Sequence, residues 1–535
     1  MSFTLPRRSL LAGSAALGVL TSASLTGCGG SGPAATVSGS GEFPTYTRYA
    51  GVTPDLEGTE DGIPPAFFTY PDSPTKAIEG TPGDGEPVTL MAQSSEPIPP
   101  SMDQNKYWQE LNDRIGSEFQ IAITPANDYD AKFATVMTGD DLPDIFQVSR
   151  GANSVPQMLQ AKAVDLSEHL SGDAIANYPM LANIPTESWQ NVMLDGKIMA
   201  VPIPRGVMQC TILYQRQDLL DSLGIDSGPK NFEELLDLAT EVTDERGNVW
   251  AFTSAPGNYI QQMLAVPNVW SYEGGELTRS YEHPQMKEAL EATRKVVEAG
   301  VVVPDSFASN SAQYKQWFMA GTAYFTGDSY SAWPAYLALG KADDFALSAI
   351  DMVGFDGGRG ALWRRSPTHS IVALNKSSAE RTETLLSIMN WLAAPFGTEE
   401  YLFRKFGVDG VHYEMDGGDP VPNPETQGEL YLGQQYIADA PMVLYHPGSE
   451  QGIRREHEHM LAVIPESVPD PTEGMYSETD TRKGGQISKA VSAMMDEIVQ
   501  GRRPVADFDT AVADWKAAGG DAIRDEYLAL LAGEK

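Results

Sequence analysis

The chain is poor in cysteine and in positive charge. Cys28 and Cys210 are the only cysteines in 535 residues, which excludes a disulfide-stapled scaffold and a multi-cysteine zinc fold. Lys and Arg number 37 against 73 Asp and Glu, a formal net charge of −36. That field repels nucleic acid, and no basic stripe overrides it. No apolar run reaches the ~18 residues of a spanning helix. Catalytic signatures are missing too: there is no Gly-x-Ser-x-Gly elbow, no P-loop and no Gly-x-Gly-x-x-Gly after a strand. Ser73-x-x-Lys76 and Ser227-x-x-Lys230 have no Lys-Thr-Gly or Ser-Asp-Asn companion, so they read as chance. His457-Glu458-His459 is the one histidine cluster. It lies in a helical pattern, where positions two apart face different ways, so neither a metal site nor a cofactor is expected.

A hydrophobic content of 41% suffices for packed cores, and the length suits about three units or two large lobes. The first residues are an address. Arg7-Arg8 precede a weakly apolar stretch, Leu10 to Leu25, of secretory length. The pair also resembles a twin-arginine signal, although Sec export fits nearly as well. The stretch ends in Leu25-Thr26-Gly27-Cys28, which looks like a bacterial lipobox. Cleavage would leave a lipid-bearing Cys28 at the front, a link to the outer face of the membrane. Cys210 would then be alone, in the apolar run VMQCTILY, as a buried small hydrophobe.

Residues 28–85 read as a Gly/Pro-rich tether followed by an extended segment. Tyr46, Tyr49, Phe67, Phe68 and Tyr70 pin that segment to the body. From Glu86 the pattern alternates: EPVTLMAQ as strand, DQNKYWQELNDRIG as helix, FQIAITPA as strand, YDAKFATVMTG as helix closed by Gly139, DIFQVS as strand. Such alternation predicts a parallel sheet flanked by helices, an α/β fold. Ligands of such sheets sit beyond the carboxyl ends of the strands, here at Ser95 and Gln147. Downstream, DGKIMAVPIP reads as a hairpin. Asn231 caps a helix, SAQYKQWFMAG leads into the strand TAYFTG, and the tail from about 482 is helical.

Five stretches in this order resemble the extracellular solute-binding proteins of bacterial ABC importers, carbohydrate-binding branch. They are MTGDDLPDIF, DGKIMAVP, LYQRQDLLDSLGID with Arg216-x-Asp218, WFMAGTAYFTGDSYSAW and DWKAAGGDAIRDEYLALL. The large lipoprotein subgroup associated with oligosaccharide or aldouronate uptake is the most similar. One departure is Leu219-Leu220, where an aromatic or acidic residue usually follows. The resemblance implies a two-lobe, periplasmic-binding-protein-like α/β fold with several interlobe crossings. It implies a carbohydrate ligand in the cleft, ABC permease partners, a monomer and no enzymatic activity. On it, we expect a signal peptide over 1–27, the anchored segment over 28–85, and a first lobe of 86–206 and 324–377. The second lobe would be 207–323 and 378–480, with C-terminal helices over 481–535 near the hinge. The crossings would fall at 207–214, 324–328 and 373–378.

Sugars present C–H faces and hydroxyl edges, so the matching site has flat aromatics and polar side chains. The candidates are Trp270 and Tyr272 on a Gly-bounded loop, Trp363 in a Gly-rich loop, Asp328 after a strand, and Arg205 and Arg364. Either arginine could read a uronate carboxylate or pair with an acid of the chain. The alternatives to sugar capture are a peptide or other solute on the same fold, or a secreted polysaccharide hydrolase.

Overall fold

The computed structural model describes residues 41–535, apart from 140, 150–151, 226–227, 341–344 and 534–535. The signal segment, Cys28 and the first part of the tether lie outside the described residues. No described helix is long and apolar enough to cross a membrane.

The alternating region folds as its pattern requires. Strand β1 (Val88–Ser94) is buried along most of its length, as a central parallel strand must be. Helix α1 (Lys106–Ile115) starts at Asn105, whose side chain accepts the Trp108 amide, and ends at Gly116 with φ +76°. A Cβ at Gly116 would stand 2.9 Å from Thr81. Strand β2 (Phe119–Pro125) and helix α2 (Ala126–Thr138) follow, then β3 (Ile145–Gln147). Gly139 closes α2 in an extended conformation, φ −91°.

Strands β4 (Val201–Pro204), β5 (Thr211–Arg216), β6 (Trp250–Phe252), β7 (Ala323–Ser329), β8 (Leu347–Ile350) and β9 (Thr368–Leu374) complete two sheets. The first has the order β2-β1-β3-β9-β4, the second β8-β5-β7-β6. In the first, β1, β2 and β3 are parallel and β9 runs against β3 and β4. In the second, β5 runs against β7 and β8 while β6 and β7 are parallel. DGKIMAVPIP is a tight hairpin, Met193–Leu194 with Lys197–Ile198, followed by the separate sheet strand β4.

Each sheet has its own apolar core. The first core holds Leu90, Tyr107, Phe146 and Trp189, with Leu385, Met389 and Phe403. The second holds Tyr214, Phe252, Ile260, Phe325 and Ile453. The helices used below are α3 (Gly257–Met263), α4 (Met286–Glu298), α5 (Ser311–Met319), α6 (Thr382–Leu392), α7 (Glu399–Phe406), α8 (Glu450–Val463), α9 (Gly485–Val499), α10 (Phe508–Trp515) and α11 (Asp521–Leu531).

This placement alters the division expected from the sequence. Residues 324–350 stay in the second sheet, because β7 and β8 both pair with β5. Residues 382–406 pack in the first core. The chain passes from the first core to the second between Ile203 and Val207, returns between Trp363 and Val372, and passes again between Ala438 and Leu444. The apolar, Gly-ended run TAYFTG reads equally well as a crossing and as an interior strand, and its pairing decides for the strand.

An N-terminal strap runs over the joint. Thr45 and Thr47 bond to Gly172 and Ala182 beside the first core. Asp61 O accepts from Arg364 in the second crossing, Gly62 lies against Val207 in the first, and Pro65 O accepts the Leu444 amide in the third. Phe67 and Tyr70 then enter a small aromatic core with Phe396 and Tyr445. A Cβ at Gly397, φ +88°, would collide with Val52 of the strap.

Candidate functional site

The first crossing fixes which sheet edges approach each other. Strand β4 ends at Pro204 and β5 begins at Thr211. The residues between can span only roughly 20 Å even when extended. The carboxyl edge of the first sheet is thereby joined to the edge of the second sheet formed by the start of β5 and the ends of β6 and β7. The 206–209 turn and the turn after β7 meet there, with the Tyr330 amide donating to Cys210 O at 3.2 Å. Outside the crossings, the Ser154 amide donates to Thr481 O at 3.1 Å and the Tyr476 hydroxyl to Asn191 O at 2.8 Å.

A cavity of about 340 Å³ opens on this edge of the second sheet, within the usual size range of ligand pockets. Thr211 and Gly327 of the sheet form its floor, and Ser254, Asn258 and Gln261 its polar wall. Phe307, Tyr314 and Asp496 also line it. Helix α3 brings Asn258 and Gln261 in because its opposite face, with Ile260 and Met263, is anchored in the second core. Tyr314 is held by its hydroxyl, which donates to Ser306 O at 2.8 Å, and its ring lies 5.9 Å from that of Trp317. Phe307 is 42% exposed.

The polar lining has unused bonding capacity. Ser306, 2% exposed, has an Oγ without a hydrogen-bond partner. Among the described residues, no side-chain hydrogen bond is made by Asn258, Gln261 or Thr211. Asp496 is raised from its ordinary value by partial burial, with the Arg502 charge opposing. Two rings beside amide, hydroxyl and carboxylate groups form a surface suited to a polyhydroxylated ring.

The facing edge of the first sheet carries a smaller polar cluster. Ser95 Oγ lies 3.4 Å from the Tyr436 hydroxyl, and the Tyr436 ring stands 5.3 Å from His369 at the start of β9. Burial and the Glu96 charge raise the Tyr431 phenol.

Most residues singled out from the sequence lie elsewhere. Gln147, 1% exposed, accepts from the Gln93 amide and donates to Ser370 Oγ, so it ties strands together. Trp270 is 1% exposed, covered by Trp515, Tyr527 and the Arg279 guanidinium. It is a core plug and offers no ring face to a ligand. Trp363 is also buried, its indole N–H donating to Val266 O at 2.8 Å. Tyr272, 42% exposed, sits on the hairpin 270–279, away from the cavity. Asp328 accepts from the Ser329 amide and the Tyr336 hydroxyl. Arg364 bonds to Ser467 Oγ and Asp61 O. Arg205 pairs with Asp439 at 3.2 Å and lines a second cavity, about 570 Å³, beneath the strap. Of these residues, Ser95 alone stands at the carboxyl edge of the first sheet with its side chain exposed.

Sequence reading passed over Asn258, Gln261, Ser306, Tyr314 and Asp496. One signal was available: NYIQQM sets amides on an otherwise apolar helix. Asp496 comes from the distant C-terminal region and joins them only through folding. No group of His, Cys, Asp and Glu suited to a metal ion occurs among the described residues.

A family profile described as "Bacterial extracellular solute-binding protein" matches residues 106–407. The chain belongs to this family. The solute-binding protein is similar to Lipoprotein LipO of Bacillus subtilis, 23% identical over 482 residues, covering 85% of this chain and 94% of LipO. It is also similar to the polygalacturonan/rhamnogalacturonan-binding protein YtcQ of the same organism, 22% identical, covering 84% and 93%. Among solved structures it resembles the N-glycan transport solute-binding protein NgtS of Streptococcus pneumoniae. The TM-score is 0.63 at 16% identity, covering 84% of this chain and all of NgtS. That likeness is one of fold, the two-lobe α/β architecture.

Proposed function

We propose that this solute-binding protein captures a sugar or oligosaccharide between the facing edges of its two sheets and hands it to an ABC transporter. The observation that carries this reading is the lining of the second sheet's cavity. The side chains of Asn258 and Gln261 and the buried Ser306 hydroxyl have no hydrogen-bond partner among the described residues and stand beside Tyr314 and Phe307. Groups of this kind gain more from a ligand's hydroxyls than from water, because each bond is made in a partly dry site. Ser95, Tyr436 and His369 supply the contacts of the first edge. The names of YtcQ and NgtS point to the same ligand class.

Two halves closing on a ligand give affinity when shut and release when parted. The protein works as a single copy, without a cofactor and without altering its ligand. Lipid on Cys28, after Sec or twin-arginine export, holds it at the outer face of the membrane.

The test is titration of the chain without its signal segment with an oligosaccharide panel, read by tryptophan fluorescence, melting temperature and small-angle scattering. Sugar binding should raise the melting temperature and shrink the radius of gyration. A response to peptides alone would sink the carbohydrate reading. Turnover of a polysaccharide would sink the binding-only reading.

A further inference from the structure

We propose that the site accepts neutral or amine-bearing sugar residues and rejects uronates. This rests on the carbohydrate reading above and adds the ligand's charge class to it.

A carboxylate taken into a partly dry pocket needs cationic donors, most effectively the forked guanidinium of arginine. None lines the cavity: among its described lining residues there is no Lys or Arg, and the one charged side chain is Asp496. Arg502 acts on Asp496 through space but is not part of the lining. The arginines of the joint are committed elsewhere. Arg205 pairs with Asp439, Arg364 holds Ser467 and the strap, and Arg365 lies over the Trp363 ring at 5.7 Å. The facing edge adds a carboxylate, Glu96 near Tyr431. The whole chain carries −36, which opposes the approach of an anionic oligomer and favours that of a cationic one. Asp496 and the amides suit hydroxyl and ammonium donors.

The inference departs from the ligand named for YtcQ, a polymer of acidic sugars.

Matched pairs test it. Oligogalacturonides are compared with their carboxyl-reduced counterparts, and N-acetylated chito-oligosaccharides with deacetylated ones, by calorimetric titration of the chain without its signal segment. Within the first pair the uronate form should bind at least ten-fold more weakly, about 1.4 kcal/mol. The gap should narrow at about 1 M salt, where the screening length is about 3 Å. Asp496→Lys should shrink the preference for the reduced form. Preference for the uronate form, whichever cation reads it, overturns the inference and leaves the carbohydrate reading standing. Failure of every sugar, acidic, neutral and basic, overturns both.

Discussion

Arg205 of the first crossing and Asp439 at the start of the third form an ion pair at 3.2 Å, and Asp439 also holds Arg404 and Lys405 at 3.1 Å. One buried carboxylate therefore bridges three cations at the joint. Burial alone would raise the Asp439 carboxyl. Lys405, Arg205 and Arg404 outweigh that and hold it well below the usual carboxylate range. Asp439→Asn should leave buried positive charge unpaired and cost ~3–5 kcal/mol, measured by urea unfolding at pH 7. Because the folded value is depressed, this stability is present above the unfolded value of ~3.9 and is lost as pH falls below it.

A second acid-sensitive contact begins to fail at higher pH. His459 Nδ1 lies 2.6 Å from the Tyr330 hydroxyl, and Nε2 is 3.1 Å from Ile350 O. The neutral ring fits, with Nε2–H donating to Ile350 and Nδ1 accepting from Tyr330. Burial holds His459 below its ordinary value, with the Ile350 carbonyl and Asp351 opposing. Its contribution is thus complete above ~6.5 and lost as pH falls through that region. His459→Gln should flatten the stability profile between about pH 7 and pH 5, followed by denaturant titrations across that range.

Trp270 separates packing from recognition. Trp270→Ala should destabilise by ~3–5 kcal/mol through the cavity it leaves among Trp515 and Tyr527. Sugar affinity of the folded fraction, measured well below the melting temperature, should stay within about two-fold. A large loss of affinity at unchanged stability would return Trp270 to the site.

Ser306 should behave in the opposite way. Its hydroxyl is buried without a partner among the described residues, so Ser306→Ala should leave stability unchanged or raise it. Affinity for the sugar should fall by up to about ten-fold, one hydrogen bond's worth. Calorimetric titration beside thermal unfolding reads both signs.

The strands and helices from Glu86 to Gln147 were legible because hydrophobic period and capping agree there: Asn105 and Gly116 bound α1, and β1 buries Val88, Leu90 and Ala92 on one face and Met91 on the other. The site was not legible in the same way. Trp270 and Trp363 sit in Gly-bounded loops that look exposed, yet Tyr527 of α11 and Trp515 of α10 close over the first, and Val266 takes the indole N–H of the second. Loop composition says nothing of what a later helix will cover. The second crossing was misplaced for a related reason: TAYFTG is apolar enough for either role, and only its register with β5 distinguishes them.

The strap from Asp55 to Tyr70 meets all three described passages between the two cores, so strap and joint form one packed unit. Trimming the chain to Glu86, where the alternating pattern begins, would strip this strap from the joint. Such a fragment would misreport how readily the halves swing apart.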